Sequence, residues 1–224
     1  MSAIGALLWL AAGTRPDIAY AVSSLARFCS NPGEPHLAAL RHLLGYLART
    51  RSRVLHFAPR GRAASELEVY SDASWETRYS TSGGLLLYCG CLVVWWSRRQ
   101  KSVSASTAEA ETFAAALASR EGVYARDLLE LDFRTPVSGP TPLHLDNRAA
   151  LDLAADPVAF RKTKHILRHA YELRERVARR VYAPVFCPSA EQLADILTKG
   201  LRPLEHARLL ARLLPESADA GPGS

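Results

Sequence analysis

Asp72, Glu111, Asp146 and Asp195 are the residues of this sequence whose types and spacing suit chemistry. Asp72 and Asp146 each close an apolar run of extended character, while Glu111 and Asp195 stand on helical stretches. In an α/β sheet, side chains at strand ends and on adjoining helices can converge on one edge cleft. Two carboxylates about 5 Å apart repel by roughly 3 kcal/mol at an effective dielectric near 20, so such a cluster persists only if protons or divalent cations neutralise it. All-oxygen ligands select hard ions, magnesium by default and manganese as a substitute. Two such ions about 4 Å apart would activate a water and stabilise the leaving oxygen of a phosphodiester.

Each acid also has a plainer use. Asp146, before Asn147, can cap the helix that follows. Asp72 can be a turn residue, and Asp195 one solvated carboxylate among several. Glu109 competes with Glu111, because the two flank opposite sides of an apolar stripe and helical geometry does not choose between them. Taken singly, none of the four decides the function.

The elements that must position them follow from periodicity and punctuation. Residues 1–60 read as helical. The apolar run 6–12 predicts a buried helix, too short to span a bilayer and with no basic residue before it. Pro16 suits a first helical position, Ile18, Ala21, Val22, Leu25 and Phe28 recur at helical spacing, and Asn31-Pro32-Gly33 breaks the run. A third helix carries Leu37, Leu40, Leu43, Leu44 and Leu47 as its stripe. The period then changes. A strand is expected over 67–72, with β-rich runs over 85–88 and 92–96 broken near Gly90. A long helix starts at Thr107 with Ala110, Phe113, Ala114, Leu117, Tyr124, Leu128 and Leu131 on its stripe, Ser106 as N-cap and Glu109 completing a capping box. Then come a strand over 143–146 with a short helix after it, a basic helix over 162–179, a strand over 181–186 and a last helical region from Ser189. The order is an α/β, mixed five-stranded sheet, three antiparallel strands followed by alternating helices and strands, with an N-terminal helical segment. Residues 217–224 read as a disordered tail.

Composition adds limits. The 224 residues are 48% hydrophobic and 22% charged, which excludes wholesale disorder and collagen-like repeats. A net charge of +6 fits a polyanionic partner without selecting one. Cys29, Cys89, Cys91 and Cys187 form no C-x-x-C pair; Cys89 and Cys91 would share one strand face as buried thiols, and a reducing compartment is the default.

Seven ordered blocks then give the chain a family likeness. They are Tyr70-Ser71-Asp72-Ala73-Ser74-Trp75, Ser80-Thr81-Ser82-Gly83, Trp96-Ser97-Arg98-Arg99-Gln100-Lys101, Ser106-Thr107-Ala108-Glu109-Ala110-Glu111, Leu145-Asp146-Asn147, Thr163-Lys164-His165-Ile166 and the run from Gln192 to Lys199. Together they resemble the ribonuclease H region of copia-type LTR retrotransposon polyproteins. The earlier Thr14-Arg15-Pro16-Asp17-Ile18-Ala19-Tyr20-Ala21-Val22 resembles the segment joining it to the reverse transcriptase. The resemblance implies a ribonuclease H-like fold and Mg2+-dependent endonucleolytic hydrolysis of RNA paired to DNA, with two ions (Mn2+ as substitute) and products ending in 3′-hydroxyl and 5′-phosphate. It assigns metal ligation to Asp72, Glu111, Asp146 and Asp195, preferring Glu111 as the second acid of Glu-x-Glu and leaving Glu109 to capping. It divides the chain into a connection segment over 1–60, a ribonuclease H-like domain over 61–201, and a C-terminal helix and tail over 202–224. It implies the polymerase part of the same polyprotein as partner, no membrane, and a cytoplasmic virus-like particle or the nucleus as location, not secretion.

Substrate contacts have their own physical reading. Trp95, Trp96, Arg98, Arg99 and Lys101 combine aromatic area with positive charge, although one of the tryptophans serves equally as core. Arg161, Lys162, Lys164, Arg168, Arg174, Arg176, Arg179 and Arg180 make the later helix basic, partly offset by Glu172 and Glu175. Such patches track phosphates, and recognition of a hybrid rests on shape and 2′-hydroxyl contacts. Asn147, beside Asp146, joins the nucleic-acid-binding set with Trp96, Arg98, Arg99, Lys101, Lys162, Lys164 and Arg168. The chain departs from the family pattern in a short 75–80 loop, in Tyr171 where a second histidine is common, and in having no histidine over 186–190. His165 is read as structural, and no general acid is assigned. Polymerase metal motifs, integrase zinc patterns and protease blocks do not occur, so the reading is a polyprotein fragment or a decayed frame. The alternative is a catalytically inactive, degenerate transposon-derived nucleic-acid-binding module.

Overall fold

The computed structural model describes residues 2–57, 66–75, 79–155 and 167–215. Arg161, Lys162, Lys164, His165, the start of the basic helix and the tail from 216 lie outside them.

The strands are β1 (Leu67–Ser74), β2 (Thr81–Tyr88), β3 (Cys91–Arg99), β4 (Thr141–Leu145) and β5 (Tyr182–Phe186). Their order is β3-β2-β1-β4-β5, with β1, β2 and β3 antiparallel and β4 and β5 parallel to β1. This is the expected mixed five-stranded sheet, three antiparallel strands followed by two that run parallel to the first. β1 is central and buried along nearly all its length, because a layer covers each face.

One layer is α4 (Thr107–Asp127), with α5 (Arg148–Ala155) and α6 (Leu167–Ala178) beside it. The buried face of α4 is made of small residues, among them Ala110, Ala114, Ala115, Ala118, Ser119 and Gly122. It lies so close to the sheet that a Cβ on Gly122 would stand 2.2 Å from the Tyr182 hydroxyl and 2.9 Å from Val69. The expected stripe holds at Ala110 and Ala114, both buried, and is corrected at its bulky end, where Tyr124 and Leu131 are both 69% exposed. Leu131 also sits in a π turn, Leu128–Asp132, that carries the chain off the helix line.

The second layer combines α1 (Ser2–Gly13), the 3-10 turn Pro16–Ile18, α2 (Ala19–Ala26), α3 (Glu34–Arg49), the 3-10 helix Leu193–Leu197 and α7 (Pro203–Leu213). Leu7, Ile18, Val22, Leu43, Tyr70, Leu85, Ile196, Leu197 and Leu209 share its core. α1 is half-buried rather than buried: Leu7 and Ala11, one turn apart, face inward, while Leu8 and Trp9 face out. The Trp95 indole N–H donates to the Ala11 carbonyl at 2.7 Å and ties α1 to β3. On α3, Leu43 is buried, whereas Leu37 and Leu44 are exposed.

Cys89 and Gly90 both take positive φ (51° and 76°) and form the two-residue turn between β2 and β3. Cys89 is thus a turn residue and does not share a strand face with Cys91. Both thiols are buried, and neither forms a disulfide. The last helical region starts at Leu193 rather than Ser189. Among the described residues no helix is long and apolar enough to cross a membrane.

Candidate metal centre at the carboxyl ends of β1 and β4

The ladder between β1 and β4 has two registered pairs, Val69–Leu143 and Tyr70–His144. Past it, the Ser71 carbonyl accepts instead from the Gln192 side chain at 3.0 Å. Gln192 is fully buried, and its amide oxygen accepts from the Ala194 N–H at 3.2 Å. One side chain thereby caps the Leu193–Leu197 helix and pins it to β1, beside the ends of two parallel strands, where α/β sheets bind ligands.

Asp72 enters this opening from β1, Asp146 from the residue after β4, and Asp195 from the pinned helix. One carboxylate oxygen from each lies within 4.8 Å of the others. Glu111 comes from the first turns of α4, is buried, and takes a hydrogen bond from the Ala73 backbone. Burial, then Asp72 and Asp146, raise its pKa well above the ordinary carboxylate range. Burial and Asp72 raise Asp146. Burial and Asp72 push Asp195 up to about 7. Burial works to lower the Lys199 ammonium, but Asp72 and Asp195 outweigh it and raise its pKa.

Hydrogen bonds distinguish Glu109 from Glu111 and Asp146 from Asn147. Glu109 is turned out: its carboxylate accepts from the Ala105 N–H at 2.6 Å while the Ser106 hydroxyl accepts from the Glu109 N–H at 3.2 Å. Asn147, not Asp146, caps α5, its side-chain oxygen accepting from Ala149 and Ala150 at 2.9 and 3.3 Å. Asp146 instead accepts from the Ser189 hydroxyl at 3.3 Å.

Sequence reasoning gave no role to Thr198 or Lys199. The buried Thr198 hydroxyl donates to Asp72, and Lys199 Nζ stands 2.8 Å from Asp195 and 3.8 Å from Asp72. The i, i+4 spacing of Asp195 and Lys199 was the available signal. A single ammonium against several carboxylates leaves negative charge in excess. A donor set made only of carboxylate oxygens fits hard divalent cations such as magnesium.

The expected nucleic-acid contacts are spread more widely. Trp96 is 6% exposed and packs in the core over Gly84, so as a ligand contact it is corrected by its burial. Trp95 is half-buried. Arg98 pairs with Glu121 at 2.9 Å, and Arg99 lies over the Tyr79 ring at 4.2 Å. Both sit on β3, two strands or roughly 10 Å across the sheet from β1. Lys101 and Arg168 are exposed. Arg176 pairs with Glu172 and Arg179, just past the end of α6, with Glu175, both at 2.7 Å, so part of the basic charge here is met by carboxylates of α6. Trp75, also without an assigned role, is 49% exposed three residues beyond Asp72, and its indole N–H donates to the Ser104 carbonyl at 3.1 Å.

No family model matches the chain. Retrovirus-related Pol polyproteins from plant transposons match it at 34–38% identity. The polyprotein from transposon RE1 of Arabidopsis thaliana is 38% identical over 203 residues, 88% of this chain and 14% of that protein. The chain thus spans about one seventh of the length of these relatives. Secreted RxLR effector protein 161 of Plasmopara viticola is 41% identical over 128 residues, 55% of this chain and 89% of that protein. Among solved structures, LC11-RNase H1 in complex with RNA/DNA hybrid is similar at 14% identity and a TM-score of 0.45, over 59% of this chain and 94% of that one.

Proposed function

The chain is homologous to one segment of the retrovirus-related Pol polyproteins of plant transposons, and from that premise we propose that it is the ribonuclease H domain of a copia-like element. In this reading it is an endonuclease that hydrolyses the RNA strand of RNA–DNA hybrids. The observation that carries it is the meeting of Asp72, Asp146 and Asp195 within 4.8 Å, with buried Glu111 close enough to feel two of them.

Asp72, Glu111, Asp146 and Asp195 are the proposed ligands of two Mg2+ ions, or of Mn2+ in their place. Bound ions supply an activated water and charge stabilisation of the leaving 3′-oxygen. Thr198 and Ser189 orient Asp72 and Asp146 through hydrogen bonds. Lys199 offsets part of the repulsion between Asp72 and Asp195. Gln192 keeps Asp195 at the strand ends. Arg98, Arg99, Lys101 and Arg168 track phosphates, with Lys162 and Lys164 continuing the basic stretch, and Trp75 offers an aromatic face next to the acids. Asn147 spends its oxygen on the cap and keeps its amide N–H groups for the substrate.

On the same reading residues 1–60 are the connection from the reverse transcriptase region, 61–201 the nuclease and 202–224 a C-terminal helix and tail. The polymerase part of the polyprotein is the partner, in a cytoplasmic virus-like particle or the nucleus. Incubating the full chain with a labelled RNA–DNA duplex and magnesium tests the proposal. Cleavage that Asp146→Asn abolishes is expected; salt-sensitive binding without cleavage identifies an inactive nucleic-acid-binding module instead.

A further inference from the structure

Asp195 rides on a 3-10 helix of five residues, Leu193–Leu197, and a single turn of that kind does not hold its own position. It lies between two layers. On the sheet side the fit is tight: a Cβ on Gly83 would stand 2.6 Å from the Thr198 methyl and 2.8 Å from the Leu197 Cβ. On the helical side the fit is partial. A groove of about 760 Å³ is walled by parts of α2, α3, this helix and α7, with Leu25, Phe28, Leu43, Ile196 and Leu201 among its lining. The Pro16–Ile18 turn reaches over and touches the Leu193–Leu197 helix, and fully buried Ile18 shares a core cluster with Ile196 and Leu197.

That turn is held by a polar latch. Arg15 Nε and Nη2 donate to the two Asp17 oxygens at 2.9 and 2.7 Å. The Tyr46 hydroxyl donates to Asp17 at 2.6 Å. Arg15 also donates to the Thr50 hydroxyl at 2.6 Å and to its carbonyl at 3.2 Å. The Asp17 and Arg15 side chains are only 1% and 7% exposed, so each charge depends on the others' geometry. A buried charge network of this kind adds little net stability but fixes one arrangement sharply.

We infer that Arg15, Asp17, Tyr46 and Thr50, acting through Ile18, are positioning residues that set where Asp195 stands, so that the carboxylate site requires the helical segment before residue 61. This rests on the metal-binding reading above and names what holds that site in register.

The test uses the full chain and three readouts: Mn2+ affinity by calorimetry, kcat and KM for a hybrid, and Tm. Tyr46→Phe removes one hydrogen bond to Asp17 and keeps the ring. It is expected to weaken Mn2+ binding and lower kcat at fixed metal by roughly tenfold each, with KM within about twofold. Val137→Ala, in the opposite core, supplies a comparable loss of Tm and is expected to leave Mn2+ affinity unchanged. Asp17→Asn gives a larger effect if it folds; if it does not, Tyr46→Phe decides. Unchanged Mn2+ affinity and kcat in folded Tyr46→Phe, or equal weakening by Val137→Ala, overturns the inference. A wild-type chain that binds no Mn2+ overturns the reading of the site, and the inference resting on it.

Discussion

Asp195 stands with Asp72 and Asp146, with Lys199 as its ion-pair partner at 2.8 Å. Burial and Asp72 push its pKa up to about 7, and Glu111 and Asp146 are raised as well. Between the ordinary carboxylate range and these raised values the folded chain holds more protons than the unfolded chain. Stability without divalent ions therefore falls as pH rises through that window. Lys199 keeps its charge throughout it and contributes no slope. Thermal unfolding with a chelator should show Tm falling from pH 5 to 7.5. Asp195→Asn should flatten the slope, and Mg2+ should raise Tm more at pH 7.5 than at pH 5; a Tm indifferent to pH and Mg2+ contradicts the cluster. At this scale the four acids were legible as residue types near element ends, but their roles were not. Asp146 and Asn147 are adjacent, and only hydrogen-bond geometry gives the cap to Asn147. Thr198 and Lys199 act on Asp72 across 126 positions or more, a distance no local pattern spans.

Gly83 and Gly84 are neighbours on β2 that face opposite layers, and they separate stability from function. A Cβ on Gly83 meets Thr198 and Leu197, the support of Asp195; one on Gly84 meets the Trp96 indole at 2.2 Å in the other core. Each alanine substitution should cost about 1–3 kcal/mol through overpacking, measured by urea unfolding. Only Gly83→Ala should also weaken Mn2+ binding in its folded fraction; equal Mn2+ affinities for the two variants would contradict this support role. The strands and their succession along the chain were readable because alternating and continuous apolar runs report burial directly. The face of α4 was legible only at Ala110 and Ala114: periodicity marks bulky residues, whereas close helix–sheet approach also selects Ala115, Ala118 and Gly122. The break at Gly90 was readable, but Cys89 as the first residue of that turn was not, since a cysteine at positive φ carries no turn signal.

Across the whole molecule, the net charge of +6 acts most strongly where cations stay unpaired by carboxylates. Arg98, Arg176 and Arg179 each have a carboxylate at 2.7–2.9 Å, while Arg99 lies over an aromatic ring and Lys101 is exposed. Hybrid affinity should fall steeply with salt. Arg99→Gln or Lys101→Gln should each reduce the log–log salt slope by about one, and Arg179→Gln by much less. A slope insensitive to all three would contradict the proposed phosphate track. Residues 1–60 read as helices from their stripes alone, yet a stripe shows that a face is apolar and not what it meets. Ile18 and Val22 meet Ile196 and Leu197, nearly 180 positions away in sequence, and that partnership had no local signature.

The proposal turns on where a divalent ion goes. Anomalous diffraction from crystals of the full chain soaked in Mn2+ locates it directly. The account predicts density among Asp72, Asp146 and Asp195 at coordination distances of about 2.1 Å, strengthened by a bound hybrid and lost in Asp72→Asn. Saturating Mn2+ with no density there, or density only elsewhere on the surface, would contradict it.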